Sequence, residues 1–444
     1  MLAGLGSQGS PTFLSSSVTM GRSLAGEILE VVIEALAYGG DAIARAPDGR
    51  RIFVPFAFLG EKVRVKIVEE HSGFLRGQLL AVLDPSSFRV EPRCQHFGVC
   101  GGCHYQHLSY GAQIDAKRSI LIDQLKHLGG LRDPLVREPL ASLEPWNYRN
   151  YAQFALNPDG RLGYFVRGSK QVFPIEECHL PIPPVDTLWR SLVLEPPLPL
   201  NQIGLRVGSE GDVLLILESI TGEIPELLVE APLSISALTP AGSQALVGES
   251  ATRFEVLGRH FRVSPASFFQ VNTKMIPALV QEVRKAARLE PQHVALDLYC
   301  GVGLFSAFLA SGCRRLIAVE SNPEAVSDFQ VNLADFDNVE LYQAEAGEVL
   351  SGLAVRPDFV IADPPRAGLD SDALRGLLRV RPPRLVYLSC DPATLARDAR
   401  LLSEGGYRLE SVLPIDLFPQ TYHIESLALW RLEGSSDRVG LVVA

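Results

Sequence analysis

Apolar and polar positions alternate in four short runs near the start of the chain, EILEVVIEAL, RRIFVPFAF, EKVRVKIVEE and RGQLLAVLD, over about residues 26–83. A period of two is that of a half-buried strand. Turn signals separate the runs at Gly39-Gly40-Asp41, Pro47-Asp48-Gly49 and Gly60, and short strands at this spacing predict a small antiparallel barrel. From Asp84 to about Ser264 the pattern is mixed and rich in proline; strand-like YAQFALN, RLGYFVR, QIGLRVG and GDVLLILES predict an α+β middle domain. After SPASFFQVN comes a helical pattern, Thr273 to Leu289, and then a regular alternation. HVALDLYC, RRLIAVE, NVELYQA, PDFVIADPP and RLVYLSC are each followed by a helical stretch. That rhythm predicts βαβ units and a mostly parallel sheet with helices on both faces. It sets Asp297, Glu320, Asp363 and Cys390 at strand C-terminal ends, which form the ligand crevice in this architecture.

At 444 residues the chain is too long for one ordinary core, so two or three domains are expected. A composition of 47% hydrophobic and 21% charged residues is that of a soluble globular protein, and no apolar run approaches the ~20 residues of a membrane span. Residues 1–21 lack the basic start and continuous apolar segment of a secretory signal. This leader is expected to be disordered, or Met20 to be the start, and the protein to be cytoplasmic with a monomer as the default.

The net charge of −10 weighs against nucleic-acid binding by charge alone, because neutralising phosphates takes clustered Lys and Arg. Local patches stay open, with Lys62, Arg64, Lys66 and Arg76 as candidate phosphate contacts on the barrel. Composition leaves that reading level with an accessory barrel that binds nothing. Seven cysteines without an export signal point to reduced thiols, hence to metal binding or catalysis before disulfides.

In ALDLYCGVGLF (295–305) a strand, an acidic residue and a G-x-G turn precede a helix, and the next strand ends at Glu320. A carboxylate there can accept both ribose hydroxyls of an adenosine-type ligand. The third glycine of a dinucleotide fingerprint is absent. Asp297 would crowd a pyrophosphate and suits a ligand with sulfonium and ammonium charges; IADPPRAG (361–368) adds Asp363 on a proline-stiffened loop. A methyl donor fits this set better than a nicotinamide cofactor.

In VYLSCDPATLARD (386–398) Cys390 follows a strand and precedes a helix. A catalytic thiol needs a lowered pKa, for which the helix N-terminus and Arg366 are the expected sources. A thiolate adds to C6 of a pyrimidine and makes C5 a nucleophile. The C5 proton must then leave, and LFPQTYHIESLALW supplies Glu425 as its acceptor with His423 as second choice. Cys300 and Cys313 read as packing residues. Cys94, Cys100 and Cys103 in CQHFGVCGGC, with remote Cys178, form a three-plus-one set that favours a [4Fe-4S] cluster over the paired knuckles of zinc.

These stretches together resemble the RNA (uracil-5-)-methyltransferases that use S-adenosylmethionine, most closely the bacterial 23S rRNA members with an N-terminal TRAM barrel and a [4Fe-4S] cluster. The resemblance runs from about residue 22 to 432. It rests on LAYGGDAIAR and VPFAFLGEKVRV for the barrel and on EPRCQHFGVCGGCHYQHLSYGAQIDAK for the cluster. SFFQVN, LDLYCGVGLFS, ADPPRAG, YLSCDPATLARD and FPQTYHIES carry it through the catalytic domain. It implies an OB-like TRAM barrel at 22–83, a central α+β domain with the cluster at 84–264, and a Rossmann-like S-adenosylmethionine-dependent methyltransferase domain at 265–444. About 105–139 would pack on the last of these. Cys390 would be the nucleophile and Glu425 the proton acceptor. Gln270, Tyr299, Leu304, Glu320, Glu345 and Asp363 would line the S-adenosylmethionine and uridine pocket, and Cys94, Cys100, Cys103 and Cys178 would hold the cluster. The family usually reads S-C-N-P where Asp391 stands here; a carboxylate there raises a thiol pKa unless it is turned away to cap the helix or offset by cations. The rivals are the same chemistry on tRNA uridine-54 and a non-catalytic RNA-binding protein. A cytosine-5 methyltransferase would carry Pro-Cys in place of Ser-Cys, and an exocyclic-amine methyltransferase an aromatic residue in place of Arg366.

Overall fold

The computed structural model describes residues 23–228 and 230–435; the leader and Met20 lie outside them. Two compact units divide the chain, one of Ala42–Pro85 with the residues up to Ala35, the other of Ser86 onward with Leu36–Asp41.

The smaller unit is built on β1 (Ile28–Val32), β2 (Ala35–Leu36), β3 (Asp41–Arg45), β4 (Arg51–Pro55), β5 (Lys62–Glu70) and β6 (Phe74–Asp84), with sheet order β1-β5-β6-β4-β3-β2. In β5 Val63, Val65 and Ile67 are buried and the residues between them exposed, so the period-two pattern places the core directly. The barrel closes because successive residues serve opposite edges: Ile33 N donates to Glu61 O and Glu34 N to Ile43 O. One pair, β4 with β6, is parallel, a departure from the all-antiparallel expectation that the turn signals could not reveal. Lys62 and Arg64 pair with Glu30, and Arg76 with Glu69. Exposed pairs of this kind stabilise by about 0–1 kcal/mol, so exchanging the carboxylate for a phosphate costs little.

In the larger unit α1 (Tyr110–His127) precedes a seven-stranded sheet of β7 (Tyr151–Leu156), β8 (Leu162–Phe165), β9 (Val172–Pro174), β10 (Gln202–Val207), β11 (Val213–Glu218), β12 (Ser234–Thr239) and β13 (Gly242–Val247). Helix α2 (Pro183–Ser191) packs on it. The hairpin β14 (Thr252–Val256) and β15 (Arg259–Val263) falls in the 84–264 segment, yet its Phe254, Val256, Phe261 and Val263 join the core of the C-terminal sheet.

That sheet runs through α3 (Ile276–Ala287), β16 (Val294–Leu298), α4 (Leu304–Leu309), β17 (Arg315–Glu320), α5 (Pro323–Asn332), β18 (Val339–Gln343), α6 (Ala346–Gly352), β19 (Phe359–Ala362), α7 (Ser371–Val380), β20 (Arg384–Ser389), α8 (Pro392–Glu404), β21 (Tyr407–Ile415) and β22 (Glu425–Leu432). Its order is β18-β17-β16-β19-β20-β22-β21, with β22 antiparallel to both neighbours. Alternate residues feed two cores: Ala295, Ile361, Val386 and Leu388 face one, Leu296, Val360, Leu385 and Tyr387 the other. Three of the helices start on side-chain caps, Asn322 for α5, Asp370 for α7 and Asp391 for α8. Each satisfies amides that the first turn leaves unpaired.

Helix α1 adds Ile120, Leu121 and Leu125 to the second core and packs on α8 and β21. After it, Arg137 N donates to Val412 O and Leu140 N to Pro414 O, so residues 135–140 cover the β21 edge, which would otherwise be open for pairing. Among the described residues no helix is long and apolar enough to cross a membrane.

Candidate active site

The strand order turns back between β16 and β19, and ligands of open α/β sheets bind outside the strand ends at such a switch point. Tyr299 follows β16 and Asp363 follows β19, with Asp363 N donating to Leu298 O at 3.2 Å. Tyr299 (φ 60°), Gly301 (φ 53°) and Gly303 (φ 91°) hold the turn in left-handed conformations. For tyrosine this costs about 1–3 kcal/mol, a strain that collects at functional sites. At Gly303 a Cβ would lie 2.3 Å from Leu333 Cδ1, so glycine is required where the turn meets α5. Glu320 at the end of β17 accepts from Gly301 N at 2.9 Å and from Asn322 N at 2.8 Å. Its carboxylate is thereby fixed beside the turn with lone pairs left over for hydroxyls.

The remaining cofactor candidates divide. Glu345, exposed ahead of α6, and Asp370 flank Tyr299, and together with burial they raise its phenol pKa. Gln270 lies on the loop after β15, its carbonyl accepting from Asn150 Nδ2 at 3.2 Å. Leu304, 7% exposed, is packed into the core, so its side chain is a packing group. Asp297 lies within β16 and not at its end. It is fully buried, and Oδ2 accepts from Ser306 Oγ at 2.6 Å. Oδ1 has no partner among the described residues, and burial lifts the carboxyl to about 7. An unpaired buried oxygen behind the glycine turn fits a cationic ligand group, since an unmet acceptor of this kind costs about 1–3 kcal/mol.

Cys390 and Glu425, the expected nucleophile and proton acceptor, come together where β20 and β22 meet. Ser389 opposite Ser426 is the last rung of the β20–β22 register; Cys390 and Glu425 flank it, close enough for the Glu425 carboxyl to act on the thiol. Both are half-buried. Burial pushes the Cys390 thiol up to about 12, with Glu425 and Asp363 adding to the rise and Arg366 opposing it. Burial likewise holds Glu425 up at about 8, Asp363 adding and Arg366 and Lys117 opposing, and Asp363 up at about 7. This reverses the expectation that helix α8 and Arg366 depress the thiol. Burial is the main cause of the reversal; Asp391 is turned away to cap the helix, its Oδ1 accepting from Ala393 N and Thr394 N, both at 2.9 Å. The helix N-terminus is therefore spent on its own cap. His423 is driven down to about 3 by burial and then by Arg366, which leaves a weak base packed on Tyr422 and Phe418. Cys300 and Cys313 are buried in the core.

Cys94, Cys100, Cys103 and Cys178 line one cavity of ≈ 40 Å³ together with Gln106 and Arg149. None is in a disulfide. Burial raises all four thiols, Cys103 to about 12 and Cys178 to about 11, so closing them as thiolates requires a cation at their centre. Gly102 N already donates to Cys100 Sγ at 3.4 Å. Among the described residues no three His, Cys, Asp or Glu side chains stand at metal-ligand spacing. Arg149, beside them, and Lys117, beside Glu425, are charged residues that sequence reasoning missed. Nothing in RNYAQ or QIDAKRS marks them, because their meaning comes only from burial.

The doubly wound order with one inserted antiparallel strand, the glycine turn and the Glu320 carboxylate define a methyltransferase that uses S-adenosylmethionine. A solved structure of similar fold is that of the Pyrococcus abyssi tRNA (uracil-54, C5)-methyltransferase in complex with S-adenosyl-L-homocysteine. It is 25% identical with a TM-score of 0.70, and the match covers 90% of this chain and 99% of that one. Residues 249–432 match the tRNA (uracil-5-)-methyltransferase family and residues 22–80 the TRAM domain. An uncharacterized RNA methyltransferase of Halalkalibacterium halodurans is 33% identical over 92% of this chain and 97% of its own length. One from Gloeobacter violaceus is 32% identical over 93% and 98%. The chain belongs to the RNA (uracil-5-)-methyltransferase family.

Proposed function

We propose that the protein methylates C5 of a uridine in 23S rRNA through Cys390 and Glu425, and acts as a cytoplasmic monomer. The observation that carries the chemistry is the placement of a thiol and a carboxyl beside the last rung of two adjacent strands, near the switch-point crevice. Cys390 Sγ adds to C6 of the base, which makes C5 an enolate-type nucleophile. S-adenosylmethionine, when bound, would supply the electrophilic methyl group that C5 takes up, the S–CH3 electron pair staying on the departing thioether. Glu425 then accepts the C5 proton, the C5–H electron pair re-forms the C5=C6 bond, and the sulfur leaves as thiolate. Glu320 would hold the ribose hydroxyls. Gln270, Tyr299, Glu345 and Asp363, with the backbone at Leu304, would complete the pocket. A uridine reaching this crevice must leave its stack at a cost of a few kcal/mol. The barrel, with Lys62, Arg64, Lys66 and Arg76, and the central domain would repay that by gripping the flanking strand. The resemblance to bacterial 23S rRNA members supports this substrate; the likeness to the Pyrococcus abyssi enzyme supports the second reading, tRNA uridine-54.

The test is incubation with tritiated-methyl S-adenosylmethionine and RNA from cells lacking this gene. Label in 5-methyluridine of large-subunit rRNA is expected, label in tRNA replaces the substrate, and no label from folded protein replaces catalysis with RNA binding alone.

We also assign a [4Fe-4S] cluster to Cys94, Cys100, Cys103 and Cys178, on the chemistry of four half-buried unbridged thiols around one cavity. Anaerobically purified protein is expected to contain iron and acid-labile sulfide in equal amounts. Cys178→Ser should lose both and melt several degrees lower, since structural metal ligation contributes directly to folding; wild type free of iron would sink the assignment.

A further inference from the structure

The turn between β21 and Glu425 is held by groups far from it in sequence. Asp416 Oδ1 accepts from Lys117 Nζ at 2.6 Å and Oδ2 from Tyr110 Oη at 2.9 Å, both partners lying on α1. Lys117 Nζ also donates to Phe418 O at 2.9 Å. Leu417 O accepts from Asn272 Nδ2 at 3.3 Å, Pro419 O from Tyr148 Oη at 3.0 Å, and Gln420 O from His104 N and Tyr105 N at 2.8 and 3.0 Å. Gln420, at φ 69°, exchanges two further bonds of 3.0 Å with Gln113. Every carbonyl from Leu417 to Gln420 is therefore tied down, and the turn that delivers Glu425 has little freedom of its own.

Lys117 and Asp416 are both almost completely buried, with side chains 4% and 2% exposed. A buried ion pair is weak evidence for stability, because desolvating both charges offsets their attraction, and an apolar pair of equal volume often does as well. An ammonium kept at this crossing calls for a different account. It faces Asp416 and Glu425, with His104 and His423 within electrostatic reach; Glu425 itself faces Asp363, Arg366 and Lys117.

We infer that Lys117, with Asp416 as counter-ion, is a positioning residue for proton abstraction: it fixes the 416–420 turn that aims Glu425 and sets a positive charge behind that carboxyl. This rests on the role of Glu425 proposed above. The step affected is the last one, in which the C5–H electron pair re-forms C5=C6, the proton passes to the Glu425 carboxylate, and the C6–S bond breaks to release the Cys390 thiolate. The ammonium opposes burial and favours the carboxylate form that can accept the proton.

The test uses the full chain with Lys117→Met, Lys117→Arg and the double variant Lys117→Met with Asp416→Asn, which leaves no lone buried charge. The double variant is expected to melt close to wild type and to keep its KM for S-adenosylmethionine. Its kcat should fall roughly tenfold or more, as for a catalytic group slightly misplaced, and the midpoint of its kcat–pH profile should move up. Labelled RNA should remain on the protein as an adduct that survives denaturation, and Lys117→Arg should recover part of kcat. A double variant that turns over and titrates like wild type overturns the inference, as does a fall in kcat with neither adduct nor shifted profile. If neither neutral variant folds, the pair is structural and the inference also fails. Wild type run alongside separates the two levels: no 5-methyluridine from wild type would sink the reaction, whereas normal wild type with an unaltered variant sinks only the role of Lys117.

Discussion

Cys390→Ala should leave a folded protein that transfers no methyl group to RNA, a loss on the order of 10⁴-fold or more, as when a covalent nucleophile is removed elsewhere. The thiol is half-buried at the end of β20, and deleting one sulfur there costs about 1 kcal/mol of packing, so melting should move little. Without addition at C6 the C5 carbon is too electron-poor to take a methyl cation equivalent, and orientation alone cannot compensate. With burial, Glu425 and Asp363 holding the thiol up at about 12, Cys390 should react slowly with iodoacetamide at neutral pH. Fast alkylation of Cys390 would mean that the crevice activates the thiol before RNA arrives. Residual methylation within tenfold of wild type would remove Cys390 from the reaction altogether.

Much of this site is legible in the residues because strand ends are legible. The apolar runs ALDL, RLIAVE, FVIA and RLVYLS sit on strands whose ends carry Tyr299, Glu320, Asp363 and Cys390, and a period-two pattern bounded by turns fixes such ends locally. The nearness of Cys390 and Glu425 was not legible, since it depends on β22 slipping between β20 and β21, a pairing that no local pattern encodes. The sign of the thiol shift was not legible for a related reason: it is set by burial and by the Glu425 and Asp363 carboxyls that the fold brings beside Cys390, none of which a local pattern shows. Helix α1 is the plainest case. Its sequence, YGAQIDAKRSILIDQLKH, places a lysine and a glutamine among apolar positions. Only the return of residues 416–420 onto that face turns Lys117 and Gln113 from apparent surface residues into buried anchors.

Glu425→Gln is expected to separate the two halves of the reaction. The amide is nearly isosteric and keeps the packing at the start of β22, but it cannot accept the C5 proton. Turnover should fall by about 10² to 10⁴, the usual contribution of a positioned general base. Addition and methyl transfer precede the lost step, so a covalent RNA adduct carrying one methyl should accumulate and survive denaturing electrophoresis. The pH dependence supplies the second reading of the same residue. Burial, and then Asp363, raise the carboxyl from its ordinary 4.5 to about 8, with Arg366 and Lys117 opposing. The group thus carries a proton below about 8 and is competent to accept one above it. Wild-type turnover under saturating substrates should therefore climb as pH rises from 6 through about 8 and then level. In Glu425→Gln that climb should vanish, because the glutamine has nothing to titrate. A variant that shows the wild-type profile and no trapped adduct would move the proton to another acceptor. Asp363, raised to about 7 in the same crevice, would be the next to substitute, ahead of His423, whose imidazole is too weak a base at about 3.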